Sequence, residues 1–172
     1  AWDTNAWMRV GEVIARETPL KGCNWTFTPM VDISRDARWG RIAESPGQDP
    51  YLASLYGAAM VRGVQSAPVA GGTFVAACLK HLVGYGAPSG GRDYNDVEMS
   101  EGTLRDVYLP PFKAGIDAGA LSVMPAFNAL NGIPCSVNKF LLTDVLRREF
   151  GFTGVTISDW GAVDQCSKIG HG

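Results

Sequence analysis

Two kinds of hydrophobic spacing alternate along this chain. Trp7, Val10, Gly11, Ile14 and Ala15 recur every three or four positions, which puts them on one helical face. Thr4 is placed to cap that helix and Pro19 to stop it. Residues 24–33 then form a β-prone run that turns polar at Ser34-Arg35-Asp36, as expected of a buried strand feeding a functional loop. From Pro50 to Gln65, Leu52, Leu55, Tyr56, Ala59 and Val64 restore the helical period, and Ser66-Ala67-Pro68 closes the segment. Residues 74–79 are continuously apolar and of strand length, and Lys80-His81 follows at once. Ser100 is placed to cap a third helix, which Pro110-Pro111 must kink before it resumes to Ala118. A strand at 120–124, a helix carrying Leu142, Val145, Leu146 and Phe150 that ends at Gly151, and a strand at 154–158 complete the pattern.

Helix and strand therefore alternate four times, and the strands are apolar enough to need cover on both faces. That pattern predicts an α/β fold with a parallel sheet. Chemistry in such folds gathers at the carboxyl ends of the strands. Each predicted strand delivers polar groups there: the run from Asp32 to Arg41, then Lys80-His81, then Phe127-Asn128, then Asp159. Four strands cannot by themselves close a barrel of eight, and no dinucleotide glycine fingerprint follows the first strand.

Composition narrows the field. Of 172 residues, 46% are hydrophobic and 19% charged, which fits a packed interior and excludes intrinsic disorder. A net charge of −2 gives no footprint for nucleic acid or an anionic membrane. No apolar run approaches the roughly 18 residues that span a bilayer. The four cysteines, Cys23, Cys78, Cys135 and Cys166, form no C-x-x-C pair, so they read as buried free thiols rather than zinc ligands or a redox couple. No metal or cofactor is called for. The chain opens on Ala1-Trp2 rather than Met, which leaves room for a targeting peptide already removed.

Three clusters carry candidate chemistry. Asp159 ends an apolar strand and precedes Trp160; such an aspartate either caps the next helix or presents a reactive carboxylate, and the indole beside it favours a sugar, whose C–H faces stack on aromatic rings. Lys80-His81 sets two hydrogen-bonding groups where an apolar strand ends; the lysine reads equally as a Schiff-base nucleophile, as in a lysine-dependent aldolase-like barrel. Asp32, Arg35, Asp36, Arg38, Trp39 and Arg41 mix both signs of charge within ten positions, so a local ion-pair network accounts for much of that stretch, while one arginine fork is available for vicinal hydroxyls. Gly84-Tyr85-Gly86 and Gly90-Gly91 make a loop open enough to cradle phosphate, but no lysine-serine pair or helix start follows in register.

The stretches Asn24 to Asp32, Arg35 to Arg41, Lys80 to Gly86, Asn128 to Gly132 and Ile157 to Gly161 closely resemble family 3 glycoside hydrolases, the β-glucosidase family, in the bacterial periplasmic type. The resemblance covers nearly the whole chain in family order. It implies that residues 1–172 are the central part of an N-terminal (β/α)8 barrel of TIM type, about four strands with their helices, with the remaining barrel and a C-terminal α/β sandwich domain outside this chain.

It further implies hydrolysis of terminal β-D-glucosyl or xylosyl residues by a retaining double displacement, with Asp159 as the nucleophile. Arg41, Lys80 and His81 match positions that hold hydroxyls of the innermost sugar, and Trp160 matches an aromatic wall beside it. Many relatives carry tyrosine at Phe127 and an acid at Gln48, so neither is given a role. An aspartate for the outer hydroxyls is expected before the segment that opens here, since no residue upstream of Asn24 matches it, and the general acid/base is expected after Gly172, which makes the fragment alone inactive. The branch that acts on N-acetylglucosaminides uses a histidine where this chain has Gly84-Tyr85-Gly86, so the glucosidase or xylosidase branch fits better. The implied partners are a β-glucoside or oligosaccharide and the C-terminal domain, and the implied location is periplasmic or secreted. A non-catalytic sugar-binding relative is the remaining alternative.

Overall fold

The computed structural model describes residues 2–69 and 73–168. Helix α1, Thr4–Glu17, is capped one residue earlier than expected: Asp3, not Thr4, accepts the first free amides, from Asn5 at 2.9 Å and Ala6 at 3.1 Å. A carboxylate also suits the positive end of the helix dipole. Pro19 does not stop the chain but lies in the first turn of a 3-10 segment, Thr18–Lys21, and the stop falls at Gly22, whose φ of 73° suits glycine. Helix α2, Pro50–Val64, is capped by Asp49 and matches its expected span. The two helices pack at a point where only glycine fits: a Cβ on Gly63 would lie 2.3 Å from the Met8 carbonyl oxygen.

A short hairpin pairs β1, Pro68–Val69, with β2, Thr73–Phe74. Strand β3 is Cys78–Leu82, four residues later than the apolar run suggests, so Lys80 and His81 lie inside the strand and not after it. Backbone pairing decides this rather than hydropathy. β3 runs parallel to β4, Ser122–Pro125, and the ladder shifts between Lys80 and Leu82. Such an irregularity re-aims a side chain without ending the strand. Between them, Ser100 caps a turn of helix, α3, Glu101–Thr103, which passes through a π turn, Leu104–Tyr108, into α4, Pro110–Asp117. Pro110 and Pro111 donate no amide, and Leu109 instead bonds the carbonyl of Leu104 at 2.9 Å.

β5, Ala129–Leu130, and β6, Ile133–Pro134, form a second hairpin. A π-helical segment, Phe140–Glu149, then buries Leu141, Val145 and Leu146 and leads through Gly151 to β7, Val155–Thr156, which pairs parallel with β4. Helix α5, Ala162–Lys168, follows. The expected first strand is not a regular strand, although residues 24–31 run parallel to 76–80, with amide bonds from Thr26 to Ala76, Cys78 to Thr28 and Val31 to Lys80. Four extended lanes thus lie side by side in chain order, all parallel, with helices between them. This is the α/β arrangement of part of a barrel. Their carboxyl ends bring Asp32, His81 and Asp159 to one edge.

Candidate active site

Asp32, just past the first lane, is buried at 2% exposure. Its Oδ2 accepts two bonds from one residue on the neighbouring lane, from the His81 backbone N–H at 3.1 Å and from Nδ1–H at 2.7 Å. Ser45 donates its hydroxyl to the Asp32 carbonyl at 2.7 Å and ties the loop down from the other side. The imidazole is enclosed at 1% exposure, and Tyr85 meets it edge-on at 5.0 Å between centroids. Its other nitrogen, Nε2, stands 3.4 Å from Asp159 Oδ2. The Asp159 Oδ1 accepts the Trp160 backbone N–H at 2.6 Å. Three residues from three lanes are thereby joined in a line, Asp32 to His81 to Asp159.

Arg41 reaches the same neighbourhood from the loop after the first lane. Its Nε and Nη2 form a fork on Glu44, at 2.7 and 2.8 Å, and its Cζ lies 5.2 Å from the Tyr85 ring centroid. The fork raises the guanidinium above its ordinary range, and the same contact, helped by the charge of Lys80, holds the Glu44 carboxyl below its own. Nη1 is left out of the fork. Lys80 is half-buried, and its charge acts on Glu44 and on Cys78, whose thiol burial pushes up to about 11.

Aromatic side chains form the floor. Tyr85 is fully buried and touches Trp39 at 5.4 Å and Phe127 at 5.9 Å; Trp39 in turn donates its indole N–H to Asp93 at 2.9 Å. Burial raises the Tyr85 phenol well above its ordinary value, so it stays protonated at neutral pH. Chemically, the edge offers the partly open Asp159 carboxylate with an imidazole 3.4 Å away, and it carries a guanidinium, Arg41, and an ammonium, Lys80, on the neighbouring segments. It can hold a polyol by its hydroxyls and present an anion to an electron-poor carbon.

The sequence model of the glycosyl hydrolase family 3 N terminal domain matches residues 1–171. The chain belongs to that family. It is 46% identical over 170 residues to a periplasmic beta-glucosidase of Salmonella typhimurium, covering 99% of this chain and 22% of that protein. A beta-xylosidase of Formosa agariphila is 41% identical over 162 residues, again 22% of its length. The beta-glucosidase from Listeria innocua, solved in complex with glucose, superposes with a TM-score of 0.92 at 46% identity over 98% of this chain and 24% of that one. The chain thus spans less than a quarter of the length of each of these three relatives.

Within this family 3 domain, the residues singled out from the sequence lie at differing depths. Asp159 faces His81 at 3.4 Å, Arg41 is linked to His81 through Tyr85, and Lys80 acts on Glu44 through its charge. Trp160 is set apart: its backbone holds the Asp159 carboxylate while the residue is 90% exposed. The charged stretch after Asp32 divides, since Asp36 and Arg38 pair on the surface whereas Asp32 turns inward. Three contributions escaped the sequence reading: Asp32 as the partner of His81, Glu44 as the partner of Arg41, and Tyr85 as the packed centre of what looked like an open glycine loop. Asp32 was within reach of the strand-end rule, but its partner is 49 residues away in sequence. The cysteines also differ from expectation, for Cys23 is exposed and only the other three are buried.

Proposed function

We propose that this chain is the central part of the barrel domain of a longer retaining glycosidase that releases terminal β-glucosyl, or β-xylosyl, residues, with Asp159 as its nucleophile. The observation that carries the reading is the partly open carboxylate of Asp159 at the carboxyl edge of the parallel lanes. One of its oxygens is fixed by a backbone amide and the other faces His81 at 3.4 Å. The glycosidase reading is favoured over a lysine Schiff base because the similar proteins named above are glucosidases or a xylosidase. The Salmonella relative's periplasmic location supports a periplasmic or secreted enzyme.

In the proposed reaction Asp159 attacks the anomeric carbon from the α face while the glycosidic oxygen leaves with a proton supplied by an acid outside this chain. Water, deprotonated by that same group, then displaces Asp159 and restores the β configuration. Arg41, Lys80 and His81 grip ring hydroxyls, and contacts of this kind tighten as the ring flattens toward an oxocarbenium-like transition state. Trp160 supplies an exposed face for sugar stacking.

The test is Asp159→Ala in the full-length enzyme with an aryl β-glucoside as substrate. Hydrolysis is expected to fall by several orders of magnitude, and azide is expected to restore part of it by entering from the vacated α face, giving the α-glucosyl azide. Undiminished hydrolysis removes Asp159 from the mechanism.

A further inference from the structure

Among the described residues Asp32 is the one acidic side chain that is fully enclosed. A buried carboxylate is costly unless its oxygens are well paired, and here only Oδ2 is; Oδ1 has no hydrogen-bond partner among the described residues. An ordinary core position would be better filled by an apolar side chain. What Asp32 does achieve is geometric. By accepting from both the backbone N–H and Nδ1–H of His81 it fixes the ring against β3 and assigns the proton on Nδ1, as the carboxylate partner of a metal-bound or catalytic histidine does. A flipped ring would break the 2.7 Å bond, and Tyr85 closes the remaining side. Nε2 is therefore committed to the Asp159 side. At 3.4 Å no bond to Asp159 is completed, and with the proton held on Nδ1 the Nε2 lone pair is left to accept an incoming hydroxyl beside the nucleophile.

We infer that Asp32 is a positioning residue of this site, acting through His81 to aim Nε2 at the Asp159 carboxylate and at the sugar hydroxyl that settles beside it. The inference rests on the function proposed above but is tested separately from it. In the full-length enzyme, Asp32→Asn keeps the shape of the side chain and an acceptor, yet removes the charge that holds Nδ1–H. It is expected to lower kcat/KM for an aryl β-glucoside about 10- to 100-fold, mostly in kcat. In a His81→Gln background the same substitution is expected to change kcat/KM by less than about threefold, because the two residues act as one unit.

Equal losses in both backgrounds would mean that Asp32 merely supports the fold, and would overturn the inference. A second readout needs no turnover. Proton spectra of the 15N-histidine-labelled enzyme are expected to show a solvent-protected Nδ1–H of His81, identified by its loss in His81→Gln and absent from Asp32→Ala. If that signal is missing from the wild type or persists in Asp32→Ala, the inference fails whatever the substrate proves to be. If the signal behaves as expected but no β-glucoside is turned over, only the proposed function fails.

Discussion

Arg41 shows how far single residues could be read in advance. As a residue for hydroxyls it was legible, because an arginine after a parallel strand reaches the working edge; what holds it was not, because Glu44, three residues on, faces Arg41 only once a single 3-10 turn, Ile42–Glu44, has formed, and no hydrophobic period announces that turn. The pair has a testable pH signature. Glu44 titrates below its ordinary value of about 4.3 in the folded protein, so its contribution is complete above that value and is lost as pH falls through the depressed one. The melting temperature of the full-length protein is therefore expected to exceed that of Glu44→Gln by the largest margin near pH 7. The margin should close below about pH 4. A margin that is unchanged across that range would show that Arg41 and Glu44 do not couple.

Elements were legible to different degrees. Helix α2 could be placed to the residue because Asp49-Pro50 is a strong start signal, with an N-cap carboxylate and a proline at the first helical position. The strands were placed less well. Apolar content marks where a lane is buried, whereas hydrogen bonds to neighbours mark where it is a strand, and the two differ by four residues at β3. No local pattern reveals Arg147 either. It donates to the carbonyls of Phe152 at 2.9 Å and Gly154 at 2.8 Å and to the Thr156 hydroxyl at 2.9 Å, and so clamps the π-helical segment to β7, the lane that carries Asp159. Arg147→Ala leaves those half-buried acceptors unpaired and is expected to lower unfolding stability by about 2–4 kcal/mol. Arg147→Lys should recover only part, since one ammonium nitrogen cannot occupy the two positions from which Nη1 and Nη2 donate. Denaturant midpoints measure both, and equal midpoints for Arg147→Ala and the wild type would show the clamp to be idle.

Over the whole molecule, alternation of helix and strand sufficed to read the α/β class and the working edge. The family resemblance, not periodicity, supplied the idea of a barrel. The exposed apolar surface fits that proposal: Phe27, Phe74, Leu121 and Val155 are each about half exposed, at 51%, 49%, 47% and 56%, the last three line one cavity at the amino ends of the lanes, and β7 pairs only with β4 among the described residues. Unpaired lanes beside exposed apolar side chains invite association. The 172-residue chain expressed alone is expected to elute from size exclusion as soluble aggregates or to precipitate. A monomer with a sharp two-state melt would show instead that these residues form a self-sufficient domain.

The account depends most on a covalent bond between Asp159 and sugar. Incubating the full-length enzyme with an activated 2-deoxy-2-fluoro-β-glucoside slows release of the glycosyl-enzyme enough for the adduct to be located by mass spectrometry of peptides. The account expects one fluoroglucosyl unit per active site, attached to the Asp159 carboxylate. A label on Lys80, on any other residue, or on none while ordinary β-glucosides are still hydrolysed, would contradict it.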